Sequence, residues 1–259
     1  MTTPTRPIAL VTGASSGIGA DLARELARDG HDLVLSARRI EPMQALAAEL
    51  EGHGVGAVVI PADLSKPGAA AELADAVEGR GLQIDVLINN AGLGALGRFD
   101  QIDPLRISEM LQVNVVALTE LTRRLLPGMV ARRRGKIMLV ASTASFQPGP
   151  RMAVYFATKA YVLSLGEALA YELRGTGVTV TTLCPGATAT DFFKVAGARD
   201  IALRPTMSAP EVARIGYRAL KAGRRVVIAG VLNRILAVGG RHGPHSIILP
   251  ATAAMMSRR

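Results

Sequence analysis

The chain has 259 residues, 49% of them hydrophobic and 20% charged, with a single cysteine. That length suits one α/β domain whose core needs no disulfide staples, and Cys184 has no partner for one, which accords with a reducing, cytoplasmic setting. The formal charge of +9 permits an anionic partner, yet neither zinc-finger spacing nor basic–aromatic interleaving points to nucleic acid, and no run reaches the roughly 20 apolar residues of a membrane span.

The first apolar run, Ile8-Ala9-Leu10-Val11, follows Arg6 and is ended by Thr12-Gly13. It is too short for a signal segment and reads as a strand. Similar short runs recur, predicting strands over 8–12, 33–36, 57–60, 86–89, 136–141, 179–183 and 225–229. Helical periodicity fills the gaps at 17–29, 41–51, 67–78, 104–132, 153–174 and 209–222. The strands are continuously apolar, as parallel strands covered on both faces are. Alternation of strand and helix predicts an α/β fold: a doubly wound parallel sheet of about seven strands with helices on both faces. Arg132-Arg133-Arg134 falls where the longest helical stretch ends, and cations there complement the helix dipole. Residues 187–208 lack a clean period and read as a binding loop. The apolar stretches in 231–259, interrupted by Arg234 and Arg241, read as a C-terminal extension to a main domain over 1–230. That extension is expected to pack across a subunit interface, to cap a cleft, or to lie on a membrane surface.

Between the first strand and first helix stands Thr12-Gly13-Ala14-Ser15-Ser16-Gly17-Ile18-Gly19. Glycines let a backbone turn sharply and approach a pyrophosphate, and a helix N-terminus presents free N–H groups to it. Such loops also serve as plain turns; the position in a βαβ unit favours a dinucleotide. The second strand ends Ser36-Ala37-Arg38-Arg39, with no acidic residue to hold a ribose 2′-hydroxyl. An arginine there matches a 2′-phosphate, so Arg38 points to NADP(H); the alternative is a pair of solvated arginines. Ser15 and Ser16 offer further hydroxyls to the same ribose.

Tyr155 and Lys159 are four residues apart on a helical stretch and share one face. A nearby cation favours the phenolate, which prepares tyrosine to exchange protons. Ser142 lies at the end of the fifth strand, where a hydroxyl can steady charge on a substrate oxygen. Thr143 and Ser145 are competing hydroxyls.

The glycine spacing, Gly13-x-x-x-Gly17-x-Gly19, together with Ser142, Tyr155 and Lys159 in order, resembles the short-chain dehydrogenase/reductases over about residues 7–229. The resemblance implies a Rossmann-type domain, hydride transfer between NADP(H) and a carbonyl or secondary alcohol, and a homodimer or homotetramer. It assigns a catalytic set of Asn114, Ser142, Tyr155 and Lys159. It gives cofactor contacts to Gly13, Ser15, Ser16, Gly17, Ile18, Gly19, Arg38, Asp63, Leu64, Asn90, Ala91, Gly92, Tyr155, Lys159, Pro185, Gly186, Thr188 and Thr190. Asn114 in that family supports proton resupply to the lysine; an ordinary buried amide is the other reading. Ala141 departs from a second serine common at that position, leaving Ser142 as the matching hydroxyl. No metal is implied, and His242 and His245, though spaced like ligands, have no further cluster beside them. Phe192, Phe193, Val195, Ile201 and Leu203 are the expected substrate wall and favour a lipophilic ketone or alcohol. A dinucleotide-binding scaffold without turnover is the competing class, and it usually lacks one of the three reactive residues retained here.

Overall fold

Apolar residues at successive positions of each short strand feed two cores at once. Leu10, Val34, Leu87, Ile137 and Val180 point to one face of the sheet, and Ala9, Leu33, Val86, Met138 and Leu183 to the other. This is why the strands carry no polar alternation. The computed structural model of the chain describes residues 6–197 and 207–256, apart from the side chain of Phe193.

β1 (Ile8–Thr12) turns through the glycine loop into α1 (Gly17–Arg28). β2 (Asp32–Ser36), α2 (Ile40–Glu51), β3 (Ala57–Val59) and α3 (Ala69–Glu78) complete the first half. β4 (Ile84–Asn89) leads to α4 (Pro104–Leu111), and a π-helical stretch (Gln112–Ala117) joins α4 to α5 (Leu118–Ala131). β5 (Gly135–Val140), α6 (Ala153–Glu172) and β6 (Val178–Cys184) follow. Beyond β6 come the short β7 (Thr188–Ala189), α7 (Phe192–Val195) and β8 (Met207–Ser208), then α8 (Ala209–Lys221) and β9 (Val226–Ile228). α9 (Val231–His242) and α10 (His245–Met255) close the described chain.

Seven strands form one parallel sheet in the order β3-β2-β1-β4-β5-β6-β9. The winding reverses between β1 and β4, so the connections that leave their carboxyl ends run to opposite faces of the sheet and leave a crevice. α1, α2 and α8 cover one face, α3, α5 and α6 the other. α1 and α8 are tied at their ends by Asp29, which accepts from Tyr217 Oη at 2.5 Å and Lys221 Nζ at 2.7 Å.

Three details differ from the sequence expectation. The stretch over 104–132 is not one α-helix, because the π-helical stretch interrupts it where the Asn114 side chain turns into the protein. The triple arginine, set just beyond the end of α5, makes contacts with distant segments that the sequence did not show. Arg132 and Arg133 donate to the carbonyls of Ile84 and Gly175, and Arg134 pairs with Asp85 at 3.2 Å. The loop over 187–208 contains a two-stranded parallel pair, β7 with β8.

α6 meets β6 most closely at Gly166, where a Cβ would run into the Thr182 hydroxyl and lie 3.4 Å from Leu139. Gly166→Ala should therefore lower stability by about 1–3 kcal/mol, read from the denaturant midpoint. An unchanged midpoint would show that the helix shifts without penalty.

Candidate active site

The crevice at the carboxyl ends of the strands is a cavity of about 900 Å³. Its size is at the upper end for small-molecule sites, which suits a large ligand or two ligands together. The first wall is the glycine loop. Gly13 and Gly17 have φ of 66° and 57°, backbone that favours glycine. A Cβ on Gly13 would sit 2.8 Å from Asn90 Nδ2, and one on Gly17 2.9 Å from Thr190 Cγ2. Ser16 starts α1 without a side-chain cap, so the helix's first N–H groups face the cleft.

β4 holds that loop in place. Thr12 Oγ1 accepts from the backbone N–H of Asn90 and of Ala91, each at 3.1 Å. Asn90 Nδ2 donates to the carbonyls of Thr12 at 3.0 Å and Gly13 at 3.2 Å. At the other end of the cavity, Arg38 and Arg39 follow β2, and Arg39 Nη2 donates to Ser15 Oγ at 3.4 Å. The Ser36 hydroxyl is buried there with no hydrogen-bond partner among the described residues. Burial favours the neutral Asp63 carboxyl, but hydrogen bonds from Ser65 and the charges of Arg38 and Lys66 hold it below its ordinary range.

Ser142, Tyr155 and Lys159 converge at the middle of the cavity. Ser142 starts a 3₁₀ turn (Thr143–Phe146), and its Oγ accepts from Ala144 N–H at 3.1 Å. It also hydrogen-bonds the Tyr155 phenol. Ser145 is excluded as a rival, since its hydroxyl donates to the Lys159 carbonyl at 2.7 Å. The Tyr155 ring packs against Phe192, with centroids 5.1 Å apart. Lys159 Nζ donates to the Val140 carbonyl at 2.7 Å and lies 5.9 Å from the Tyr155 ring centroid.

Comparison with known proteins agrees with this geometry. The family model for short chain dehydrogenases matches residues 7–200. The chain belongs to the short-chain dehydrogenase/reductase family. It is 38% identical over 185 residues to an NADP-dependent 3-hydroxy acid dehydrogenase, YdfG, of Salmonella typhimurium, covering 69% of this chain and 71% of that one. Among solved structures it resembles a short-chain dehydrogenase from Sphingobium yanoikuyae in complex with NADPH, with a TM-score of 0.81 and 37% identity, covering 96% of this chain and 98% of that one. It also resembles a bulky-bulky ketone specific alcohol dehydrogenase from Comamonas testosteroni, with a TM-score of 0.78 and 33% identity, covering 96% and 97%.

Most residues that the short-chain dehydrogenase resemblance assigned line the cavity: Gly13, Ser15, Ser16, Gly17, Ile18, Arg38, Asp63, Leu64, Asn90, Ala91, Gly92, Pro185, Gly186, Thr188 and Thr190 all do. Two do not. Gly19 is buried behind the loop, and a Cβ there would collide with Asn90 Nδ2 and the Gly13 carbonyl; it allows packing and makes no wall of the cavity. Asn114 is fully buried. Its amide accepts from Leu93 N–H at 2.8 Å and donates to Leu93 O at 2.9 Å and Thr158 Oγ1 at 3.0 Å. With both side-chain donors spent on protein partners, the side chain joins the π-helical stretch, the segment after β4 and α6 beside Lys159.

The expected charge relation between Lys159 and Tyr155 is also revised. Burial pushes the Tyr155 phenol up to about 12, and the group that pulls it back is Ser142. Burial brings the Lys159 ammonium down to about 8. Desolvation is the largest cause of both shifts.

Sequence reasoning missed much of the far wall. Gln147, Met152, Asn233, Thr252 and Met256 line the cavity, three of them from α9, α10 and the residue after α10. Asn233 donates to the Ala229 carbonyl at 2.7 Å and sits against Gly186, leaving no room for a Cβ. A lone amide inside an apolar helix was the available signal. Phe192 and Val195 take the expected place in the lining, whereas Ile201, Leu203 and the Phe193 side chain lie outside the described residues. His242 and His245 are exposed near the α9–α10 junction.

Lys159 carries a stability consequence. Its folded-state value lies below that of an unfolded lysine, so the burial penalty is complete below about pH 8 and fades between about 8 and 10.5. Lys159→Met should stabilise the protein at pH 7 by on the order of 2 kcal/mol, while abolishing turnover. Thermal melts at pH 7 and above pH 10 check this: the gain should shrink at the higher pH, and a gain constant across both would overturn the assignment.

Proposed function

We propose that the protein is an NADPH-dependent carbonyl reductase acting on a lipophilic ketone, and on the corresponding secondary alcohol in reverse. The observation that carries this reading is one continuous cavity, running from Arg38 after β2 past the glycine loop to Ser142, Tyr155 and Lys159. A dinucleotide fits the donor set: free N–H groups at α1, an unpartnered Ser36 hydroxyl, and arginine where an acidic residue would exclude a 2′-phosphate. The complexes and names of the relatives described above support the same cofactor and a bulky carbonyl substrate.

Arg38 holds the 2′-phosphate, and Ser15 and Ser16 bind beside it. The N-terminus of α1 takes the pyrophosphate, with Ile18 packed alongside. Asp63 and Leu64 flank the adenine, while Asn90, Ala91 and Gly92 form the floor. Pro185, Gly186, Thr188 and Thr190 hold the nicotinamide end. When bound, NADPH supplies a hydride to the carbonyl carbon. Ser142 donates a hydrogen bond to the carbonyl oxygen as charge gathers there. Tyr155 Oη then gives that oxygen its proton. Lys159 stabilises the phenolate left behind and binds the neighbouring ribose, and a solvent proton restores the phenol. Asn114 positions Lys159 by tying α6 to the segment after β4. Phe192 and Met152 shield the reacting carbon from water.

The residues over 1–230 form the dinucleotide-binding and catalytic unit in this reading, 187–208 the substrate loop, and 231–259 a cap. Association into a homodimer or homotetramer through α5 and α6 accords with the exposed Tyr161 and Tyr171 on α6. A cytoplasmic location accords with the single buried thiol, Cys184.

Tyr155→Phe should lower kcat for ketone reduction by about 10²–10⁴-fold with the NADPH Kd little changed. In the wild type, reduction needs the protonated phenol, which persists at pH values below about 12. Its kcat/KM should thus stay flat through neutral pH, while alcohol oxidation rises with pH. A reduction rate that falls between pH 6 and 8 would remove Tyr155 as the acid. Arg38→Ala should weaken NADPH by about 10- to 100-fold and leave NADH nearly unaffected, as read by fluorescence titration. An equal loss for both cofactors would sink the 2′-phosphate assignment.

A further inference from the structure

α9 turns its apolar side outward. Val231, Leu232, Ile235, Leu236 and Val238 are each more than half exposed, and only Asn233 and Ala237 of this helix are buried. At 3.6 residues per turn these five fall in one arc, with Arg234 and Arg241 along its border. α10 adds Ile247, Leu249 and Met255 to the exposed apolar surface. A solvent-facing helix ordinarily shows the opposite pattern, and contiguous apolar surface of this kind marks a contact site.

Charge identifies what it contacts. Glu211 is the last acidic residue of the chain, and nine of the 30 lysines and arginines follow it. Residues 1–211 are therefore balanced; of the nine later cations Arg234 and Arg241 lie on α9, and neither α9 nor α10 carries an acidic residue. Among the described residues, neither Arg234 nor Arg241 enters an ion pair. A second copy meeting this face with its own would oppose like charges, which disfavours association. An anionic lipid surface offers apolar depth to the stripe and phosphates to the arginines.

We propose that the α9–α10 face docks the protein on the surface of an anionic bilayer. The helices lie on the surface; among the described residues no helix is long and apolar enough to cross a membrane. Ile235, Leu236, Ile248 and Met255 belong to these helices and also to the cavity lining. Docking sets the substrate end of the cavity against lipid, which suits an apolar ketone dissolved there. That last point rests on the proposed substrate class; the docking does not.

The test is co-sedimentation of the full-length protein with vesicles of phosphatidylcholine alone and of phosphatidylcholine mixed with phosphatidylglycerol, at low and high salt. The expected result is binding to the mixed vesicles, weakened by salt, and roughly tenfold weaker on phosphatidylcholine alone. Val231→Ser, Leu232→Ser and Ile247→Ser combined should reduce binding by roughly tenfold or more. None of these three lines the cavity, so NADPH affinity and turnover in solution should be unchanged. Arg234→Glu with Arg241→Glu, a second and independent variant, should abolish the preference for phosphatidylglycerol. The proposal is overturned if the wild type ignores the mixed vesicles, or if both variants bind them as the wild type does. It is also overturned if the wild type fails to bind and the serine variant instead dissociates an oligomer in sedimentation velocity, which would make the face a subunit contact. NADPH titration of the same samples reads the cofactor assignment separately.

Discussion

The contact between Thr12 and Asn90 sets the geometry on which the cleft depends. The winding of the sheet reverses between β1 and β4, and the two strand ends would otherwise be free to separate. The Thr12 hydroxyl and the Asn90 amide make four hydrogen bonds across that point. They hold the glycine loop against β4 at a distance that no side chain on Gly13 or Gly19 could tolerate. The direction of α1, and so the aim of its free N–H groups, follows from this clip. Its partners are part-buried backbone groups of the two segments, which the clip satisfies.

Function is built at the expense of local comfort. Lys159 is 4% exposed and rests on a neutral carbonyl, and among the described residues it forms no ion pair with a carboxylate. Tyr155 is packed against Phe156 and Phe192. Burial favours the neutral form of each group, so the phenol keeps its proton and the ammonium holds its own less tightly than in water. A phenol poised as a donor matches reduction at neutral pH. The surrounding frame supplies the rigidity: Asn114 locks three elements beneath Lys159, and Gly166 lets α6 lie close against β6.

The C-terminal helices serve two surfaces. Inward, Asn233 is wedged against Gly186 and fixes the turn after β6, while Thr252 and Met256 complete the far wall. Outward, the same helices present an apolar stripe bordered by arginine. One short segment thus joins the lining of the cavity to the outside of the molecule. The small buried contribution of these helices, two residues in α9 and one in α10, means that they owe their position to a few contacts rather than to a deep core.

The sequence by itself determined the order of strands and helices and the parallel sheet, and it singled out Ser142, Tyr155 and Lys159, which the fold brings to one cavity. Those features are local: apolar runs with buried faces, glycines in a strand–helix turn, and a tyrosine and lysine one helical turn apart. Strand boundaries came within two residues because each run is closed within two residues by glycine, serine, asparagine or proline. What only the tertiary structure decided are relations between distant segments. Within the π-helical stretch the Asn114 amide reaches Leu93 and Thr158, which no window around residue 114 contains. The choice of Ser142 over Ser145 rests on the Lys159 carbonyl, fourteen residues further along. Gly19 looks like a cofactor residue in the motif, yet it is buried by a contact with Asn90. The far wall from α9 and α10 has no motif at all, because apolar side chains look alike in sequence, and only packing decides which of them face a cavity and which face outward.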